Sequence, residues 1–185
     1  MTDEELVLLA RQGDPDAFDQ LVVRHQSAVY RTALAALRVP QDAEDVAQDA
    51  FVRAWSSLGR FRGDSSFKTW LLTITWNRAM SRRRSIAGWL RRAVAIEDVV
   101  EPADSDRSQH ATVHDAELHL RAQRAIQALS PTLRDALLLA QSGEYAYDEI
   151  GAMLKVPVGT VKWRVSEARR KVRLQLAAQG YVDAR

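Results

Sequence analysis

The chain has 185 residues, is 46% apolar and 27% charged, carries 26 basic and 24 acidic side chains, and contains no cysteine. This composition is typical of a folded globular protein, and the missing thiols exclude disulfides, thiolate metal sites and cysteine nucleophiles. The start of the sequence is acidic at Asp3, Glu4 and Glu5, where a signal peptide would be basic, and no long apolar run follows. We therefore expect a cytoplasmic protein with no membrane insertion.

Charge is arranged in blocks of alternating sign along the chain. Residues 1–60 have a net charge of −4, residues 61–92 of +7, residues 93–119 of −6 and residues 120–185 of +5. Two separated basic blocks are expected of a protein that contacts a polyanion at two points. Solvated helix faces are the alternative explanation of the same pattern.

Apolar residues recur at intervals of three and four through most of the sequence, which predicts amphipathic helices. In the first half, Asp3 is a candidate cap of the first helix, and the pair Asp14-Pro15 is typical of the start of a second. A third helix is predicted from Asp42 to about Trp55, and a fourth from about Ser66 to Arg84.

The third predicted helix has one strongly acidic face. Its apolar residues, including Val46, Ala50 and Phe51, fall on one side and are expected to be buried. The opposite side carries Glu44, Asp45, Gln48 and Asp49. Clustered acids repel one another, so this face indicates a basic partner, although a merely solvated face is the commoner explanation of such a pattern.

Aromatic and basic residues alternate in the segment from Phe61 to Leu71, and more arginines follow on the next helix. This mixture suits single-stranded DNA, because bases stack on rings while cations hold the backbone. Phe67, Trp70, Leu71 and Ile74 fit a helix core at least as well.

From Glu97 to Arg107 the sequence is polar and acidic and lacks a helical stripe, which predicts a flexible acidic linker. We therefore predict an all-α protein of two small helical domains, with a first domain at 1–92, a linker at 93–117 and a second domain at 118–178. Within the second domain, helices are predicted at about 119–129, from Ser130-Pro131 to near Gly143, at 147–154 and at 158–176.

The last two of these helices have the layout of a helix-turn-helix motif, in which the second helix enters the major groove. In that second helix Val161, Val165, Ala168 and Val172 form a buried stripe, which leaves Trp163, Ser166, Glu167 and Arg170 on the opposite face. Arg170 could donate to guanine, Glu167 could accept from cytosine, and flanking cations could neutralise phosphates. Trp163 could instead be buried at a helix interface.

Enzymatic function finds little support, since the sequence has no glycine-rich phosphate loop and no nucleophile elbow. His110 and His114 are four residues apart with His119 nearby, but solvated linker histidines explain them better than a metal site. We expect no catalytic residue, no metal and no cofactor.

Three segments, residues 42–55, 61–71 and 149–170, occur in an order and at a spacing that resemble the extracytoplasmic-function group of the sigma-70 family of bacterial RNA polymerase sigma factors. The resemblance covers about residues 4–92 and 118–176. It implies sigma region two in the first domain and sigma region four in the second, with RNA polymerase core, promoter DNA and an anti-sigma factor as partners. It also implies that the acidic linker lies near the path of nascent RNA.

The resemblance also assigns residues. Those that would grip the clamp coiled coil of the polymerase are Glu44, Asp45, Gln48 and Asp49. Those that would capture a flipped base and line the non-template strand of the minus-ten element are Phe61, Arg62, Gly63, Asp64, Ser65, Ser66, Ile74, Asn77 and Ser81. Those that would contact the minus-thirty-five duplex are Thr160, Lys162, Trp163, Ser166, Glu167, Arg169, Arg170 and Arg173.

Three residues depart from the family pattern. Trp163 replaces a small serine, and Glu167 stands where a basic or polar residue is usual, which leaves the minus-thirty-five base preference open. Lys155 replaces the usual turn glycine and would be strained at positive φ, so we expect the turn to adjust. A helix-turn-helix regulator that acts without polymerase core is the remaining alternative, and it would usually bind a palindrome as a dimer.

Overall fold

The structure, a computed structural model, describes residues 1–94 and 113–179. These ranges contain helices and loops and no β-strand, and they form two compact units, one from each range. The all-α, two-domain prediction is therefore confirmed. The predicted acidic linker at Glu97 to Arg107 lies outside the described residues. Over the same two ranges, no helix combines the length and the apolar content that a membrane crossing needs.

Four helices and a single 3-10 turn make up the first unit. They are α1 (Asp3–Arg11), α2 (Pro15–Leu37), α3 (Pro40–Ser57), the 3-10 turn Leu58–Arg60, and α4 (Phe67–Val94). Helices α2, α3 and α4 pack against one another and α1 packs on α2. The fourth helix runs beyond the predicted Arg84 because a lone Gly88 without proline or capping residues is too weak a signal to end it.

The core of the first unit joins large side chains on α2 and α4 to small ones on α3. Leu21 and Leu71 are completely buried. On α3 the buried residues are Ala43, Val46, Ala50 and Ala54. Such short side chains let α3 lie close against its neighbours, and this close packing fixes the direction in which its acidic outer face points.

Two helix starts differ from the sequence predictions. Thr2 rather than Asp3 caps α1: its hydroxyl accepts from the Glu5 amide at 3.3 Å, and Glu5 accepts from the Thr2 amide at 2.8 Å. The carboxylate of Asp3 is thereby left for α2, where it accepts from His25 Nε2 at 2.8 Å. The third helix starts at Pro40, since proline suits the first turn, where no backbone donor is required. Asp14 caps α2 as predicted, accepting from two backbone amides.

The second unit contains α5 (Val113–Gln127), α6 (Pro131–Gln141), α7 (Tyr147–Leu154) and α8 (Val158–Ala177). Helix α8 packs against the other three and buries Val161, Val165 and Ala168, as the stripe predicted, whereas Val172 is half-buried. Ser130 precedes α6, but its side chain accepts no capping hydrogen bond.

The turn between α7 and α8 depends on two backbone positions. Gly151 is buried, and a Cβ atom there would lie 2.8 Å from the carbonyl oxygen of Val156, so only glycine allows this approach. Lys155 ends α7 with φ 54° and ψ 48°, in the left-handed region. The turn does not adjust to avoid positive φ at Lys155, so that expectation was wrong. In this conformation the Lys155 amide caps α7 by donating to the carbonyls of Gly151 and Ala152.

Candidate nucleic-acid and polymerase interfaces

The acidic face of α3 is exposed at all four predicted positions, Glu44, Asp45, Gln48 and Asp49. It is partly neutralised from within the unit: Asp49 pairs with Arg78 on α4, and Asp42 at the start of α3 accepts from Arg82 Nε at 3.1 Å and Nη2 at 2.7 Å. The hydrogen bonds to Asp42, together with the charge of that carboxylate, raise the pKa of Arg82. Glu44 and Gln48 remain on the solvent side.

Between α3 and α4 runs a shallow groove whose two walls carry opposite charges. It is lined by Asp45, Val46, Asp49, Arg78, Ser81, Arg82 and Ser85. Two members of the predicted polymerase-binding set therefore lie beside one member, Ser81, of the predicted minus-ten set. Arg78 and Arg82 were not singled out as site residues from the sequence, because an arginine-rich helix does not show which of its cations face the neighbouring helix.

The predicted base-capture loop is anchored at both ends. Phe61 packs on Trp70 and Phe67, with ring centroids 5.1 Å and 6.0 Å apart, and it is half-buried there. At the other end, the Ser66 hydroxyl accepts from the Thr69 amide at 3.1 Å at the start of α4. Phe67 is a core residue, only 3% exposed. The accessible part of the loop is accordingly Arg62 to Ser66.

Gly63 lies at the tip of this loop with φ 78°, a backbone conformation that glycine adopts freely. From the loop, the predicted minus-ten residues continue along α4, with Ile74 half-buried and Asn77 and Ser81 exposed. Spacings of three and four residues place these side chains on one stripe of the helix. The predicted minus-ten residues of α4 therefore share one side of the helix, which begins directly after the loop.

In the second unit, α8 presents six basic residues and one acidic residue between Val158 and Ala177. One flank forms a basic groove with the start of α7, lined by Tyr147, Lys162, Val165, Ser166, Arg169, Arg170 and Arg173. Such a groove suits the phosphates that bound a major groove. Tyr147 was missed from the sequence, although a tyrosine at the start of the first helix of the motif could have suggested it.

The face of α8 opposite the core carries Trp163, which is 62% exposed, so its predicted exposure is confirmed and the buried alternative is excluded. Further along α8, Glu167 accepts from Arg170 Nε and Nη2, both at 2.8 Å. The hydrogen bond from Arg170 lowers the pKa of Glu167, and the same bond raises the pKa of Arg170. Thr160 is half-buried in the first turn of α8.

Of the three histidines considered as metal ligands, His110 lies outside the described residues, and His119 contacts Gln123 at 2.7 Å. Over residues 1–94 and 113–179, no three histidine or acidic side chains are grouped as metal ligands would be.

Each of the two units matches a known protein family. Residues 21–90 match Sigma-70 region 2, and residues 119–172 match Sigma-70, region 4. The sequence is 34% identical to the RNA polymerase sigma-H factor of Pseudomonas aeruginosa over 92% of this chain and 91% of that protein. It is likewise 34% identical to the ECF RNA polymerase sigma-E factor of Escherichia coli, over 93% of each.

Two solved structures resemble the fold. The structure of CnrH in complex with the cytosolic domain of CnrY is 28% identical in sequence, with a TM-score of 0.68 over 95% of this chain and 97% of that one. The sigma factor RpoE in complex with the anti-sigma factor NepR from Bartonella quintana has a TM-score of 0.64 at 24% identity, over 86% and 96% of the two chains.

Proposed function

The chain belongs to the extracytoplasmic-function group of the sigma-70 family of RNA polymerase sigma factors, and on that basis we propose how its two units share promoter recognition. It is a sigma factor that directs RNA polymerase to promoters and initiates transcription, and it is not an enzyme. Its partners are the polymerase core, promoter DNA and an anti-sigma factor, and we propose that it acts in the cytoplasm.

The first unit, residues 1–92, would bind polymerase and the minus-ten element. The polymerase would contact the acidic face of α3 at Glu44, Asp45, Gln48 and Asp49. Because Asp49 and Asp42 already pair with arginines of α4, Glu44 and Asp45 would contribute most of the free negative charge.

Base capture would take place in the loop from Arg62 to Ser66, with Phe61 holding the loop against α4. The captured strand would continue over Asn77 and Ser81. Extruding a base from duplex DNA costs a few kcal/mol, which binding in the loop would offset without nucleotide hydrolysis. Melting would therefore be driven by binding energy alone.

The second unit, which contains the predicted domain at residues 118–178, would bind the minus-thirty-five duplex with α8 in the major groove. Lys162, Arg169 and Arg173 line the basic flank that would hold phosphates. Trp163, Ser166, Glu167 and Arg170 would face base edges, with Thr160 at the start of the helix. Of the predicted linker, residues 93–117, the two ends belong to α4 and α5, and the remainder would connect the two units.

One observation carries this proposal. An acidic helix face and a basic helix-turn-helix face lie on separate compact units of one chain, in the order that the family has. The test is run-off transcription with purified bacterial core polymerase, with and without the protein, across a library of promoter fragments. Specific transcripts that require the protein are expected. Duplex binding that is indifferent to core polymerase would favour the regulator alternative.

A further inference from the structure

Trp163 is an unusual residue to find on a DNA-facing surface. Its side chain is 62% exposed, compared with 42% for Trp55 and 2% for Trp76 in the first unit. Exposed apolar area of this size is unfavourable in water, and a single exposed aromatic residue is not informative by itself. Its position on α8 is what makes it informative.

The position is the crest of the helix, directly opposite the core. Val161, Val165 and Ala168 define the buried side of α8. At 3.6 residues per turn, Trp163 and Arg170 both fall opposite that stripe, about two turns apart. Trp163 is in the second turn from the N-terminus, the part of a recognition helix that reaches base edges.

Charge around Trp163 identifies its partner as a polyanion. Lys162 is next to it in sequence, and Arg169 and Arg173 follow on the adjacent flank. The one acid on α8, Glu167, is bonded to Arg170. A protein partner that contacted only the indole would not require these cations. The phosphates of duplex DNA are bound by such lysine and arginine side chains.

Within duplex DNA, the chemistry available to an indole in the major groove is limited. Paired bases are stacked, so their ring faces are covered and only their edges are accessible. The apolar group on those edges is the 5-methyl of thymine, since the other major-groove groups are hydrogen-bond donors and acceptors. The indole N–H can donate one hydrogen bond, but most of the exposed indole surface is apolar.

We propose that Trp163 is a specificity-determining residue that selects thymine at one position of the minus-thirty-five element by packing its indole against the 5-methyl group. This inference rests on the proposed function of the second unit and adds the base class that α8 prefers. Ser166, one turn further along, is small enough to leave room for the methyl beside the indole.

The test uses holoenzyme assembled from the full chain and bacterial core polymerase, on a promoter selected from a library randomised at the minus-thirty-five element. Each thymine is replaced in turn by deoxyuridine, which lacks the methyl group and keeps the base pair. At one position, binding should weaken about fourfold, the factor for losing burial of one methyl-sized group. Trp163→Ala should remove this dependence, and Trp163→Phe should retain part of it.

A matched control is Leu174→Ala, which removes another exposed apolar side chain, 46% exposed, from the same helix. It should leave the deoxyuridine penalty unchanged. If Trp163→Ala holoenzyme keeps the full penalty, or if no thymine is sensitive, the inference is overturned while protein-dependent promoter binding still supports the proposed function. If no protein-dependent complex forms on any promoter, both fail together.

Discussion

Arg170 donates two parallel hydrogen bonds, from Nε and Nη2, to the carboxylate of Glu167 one turn earlier on α8, both at 2.8 Å. A guanidinium has five N–H donors, so this side-on pairing uses two and leaves three, of which one on each Nη points from the outer end of the group. That outer end can still form a fork with guanine. Glu167 therefore orients Arg170, in addition to any contact it makes with a base itself.

This pairing predicts opposite effects for the two residues. Arg170→Ala should weaken holoenzyme binding at one base pair by about 1–3 kcal/mol and relax its preference there. Glu167→Ala should release Arg170 toward phosphates, which raises binding to random duplex and makes the salt slope steeper by about one unit. Filter binding over a salt series measures both. Equal loss of affinity in both variants would contradict the orienting role.

Glu167 should also titrate below the usual glutamate pKa of 4.5, because the hydrogen bond from Arg170 lowers its pKa. A lowered pKa means that the pair is fully formed above the usual value and is lost as pH falls through the lowered one. Carboxyl NMR of Glu167 in the full chain gives the midpoint. Arg170→Gln should move it up toward the usual value, and an unchanged midpoint would rule out Arg170 as the cause of the lowered pKa.

Charge reversal on α3 should abolish binding to polymerase core. Asp45→Arg with Asp49→Arg is the strongest change, but it also breaks the pair between Asp49 and Arg78 and places two cations together. Asp45→Arg with Glu44→Arg leaves that pair intact and should give the same loss. The readout is co-elution with core polymerase, with circular dichroism as the check on folding.

Asp19→Arg is the matched control for this experiment, since Asp19 is an exposed acid on α2, outside the acidic face. It should bind core polymerase as the unchanged protein does. Retained binding in the folded Glu44 and Asp45 double variant would remove α3 from the polymerase interface.

Two glycines of the helix-turn-helix should respond to alanine with opposite signs. Gly151→Ala places a Cβ 2.8 Å from the Val156 carbonyl oxygen and should cost about 1–3 kcal/mol in unfolding free energy of the second unit. Gly159→Ala meets nothing within 4 Å and should stabilise the helix by up to about 1 kcal/mol. Hydrogen exchange of the buried α8 amides measures both changes in stability. Destabilisation by Gly159→Ala would show that the added methyl group collides with a neighbour at that position.

Lys155→Gly should stabilise the second unit. An L-residue in the left-handed region costs about 1–2 kcal/mol, and the greater freedom of glycine in the unfolded chain offsets part of that, leaving a gain of roughly 0.5–1 kcal/mol. Ala152→Gly, an exposed position inside α7, should destabilise by about 1 kcal/mol. Hydrogen exchange of the same α8 amides at increasing denaturant measures the unfolding free energy of both variants. A loss of stability in Lys155→Gly would show that the left-handed conformation of Lys155 is not strained.

Local sequence determined much of this protein. The three- and four-residue period of apolar side chains predicted the helices and the buried stripe of α8, because in an amphipathic helix the face that is buried follows from spacing alone. The same reasoning placed Glu44, Asp45, Gln48 and Asp49 on one exposed face and Trp163 opposite the core. Asp14-Pro15 marked the start of α2 correctly because capping acts over three or four neighbouring residues.

Only the tertiary structure decided which of these side chains meet. Arg78 and Arg82 lie 29 and 40 residues from the acids of α3 that they bind, and no periodicity along one helix gives the rotation of another helix packed against it. Phe61 became an anchor of its loop because α4 offers two rings to it. Lys155 has a left-handed backbone at the end of α7, where the next amide, of Val156, donates to the Gly151 carbonyl at 2.9 Å. The geometry of that turn sets this conformation, because lysine by itself does not prefer it.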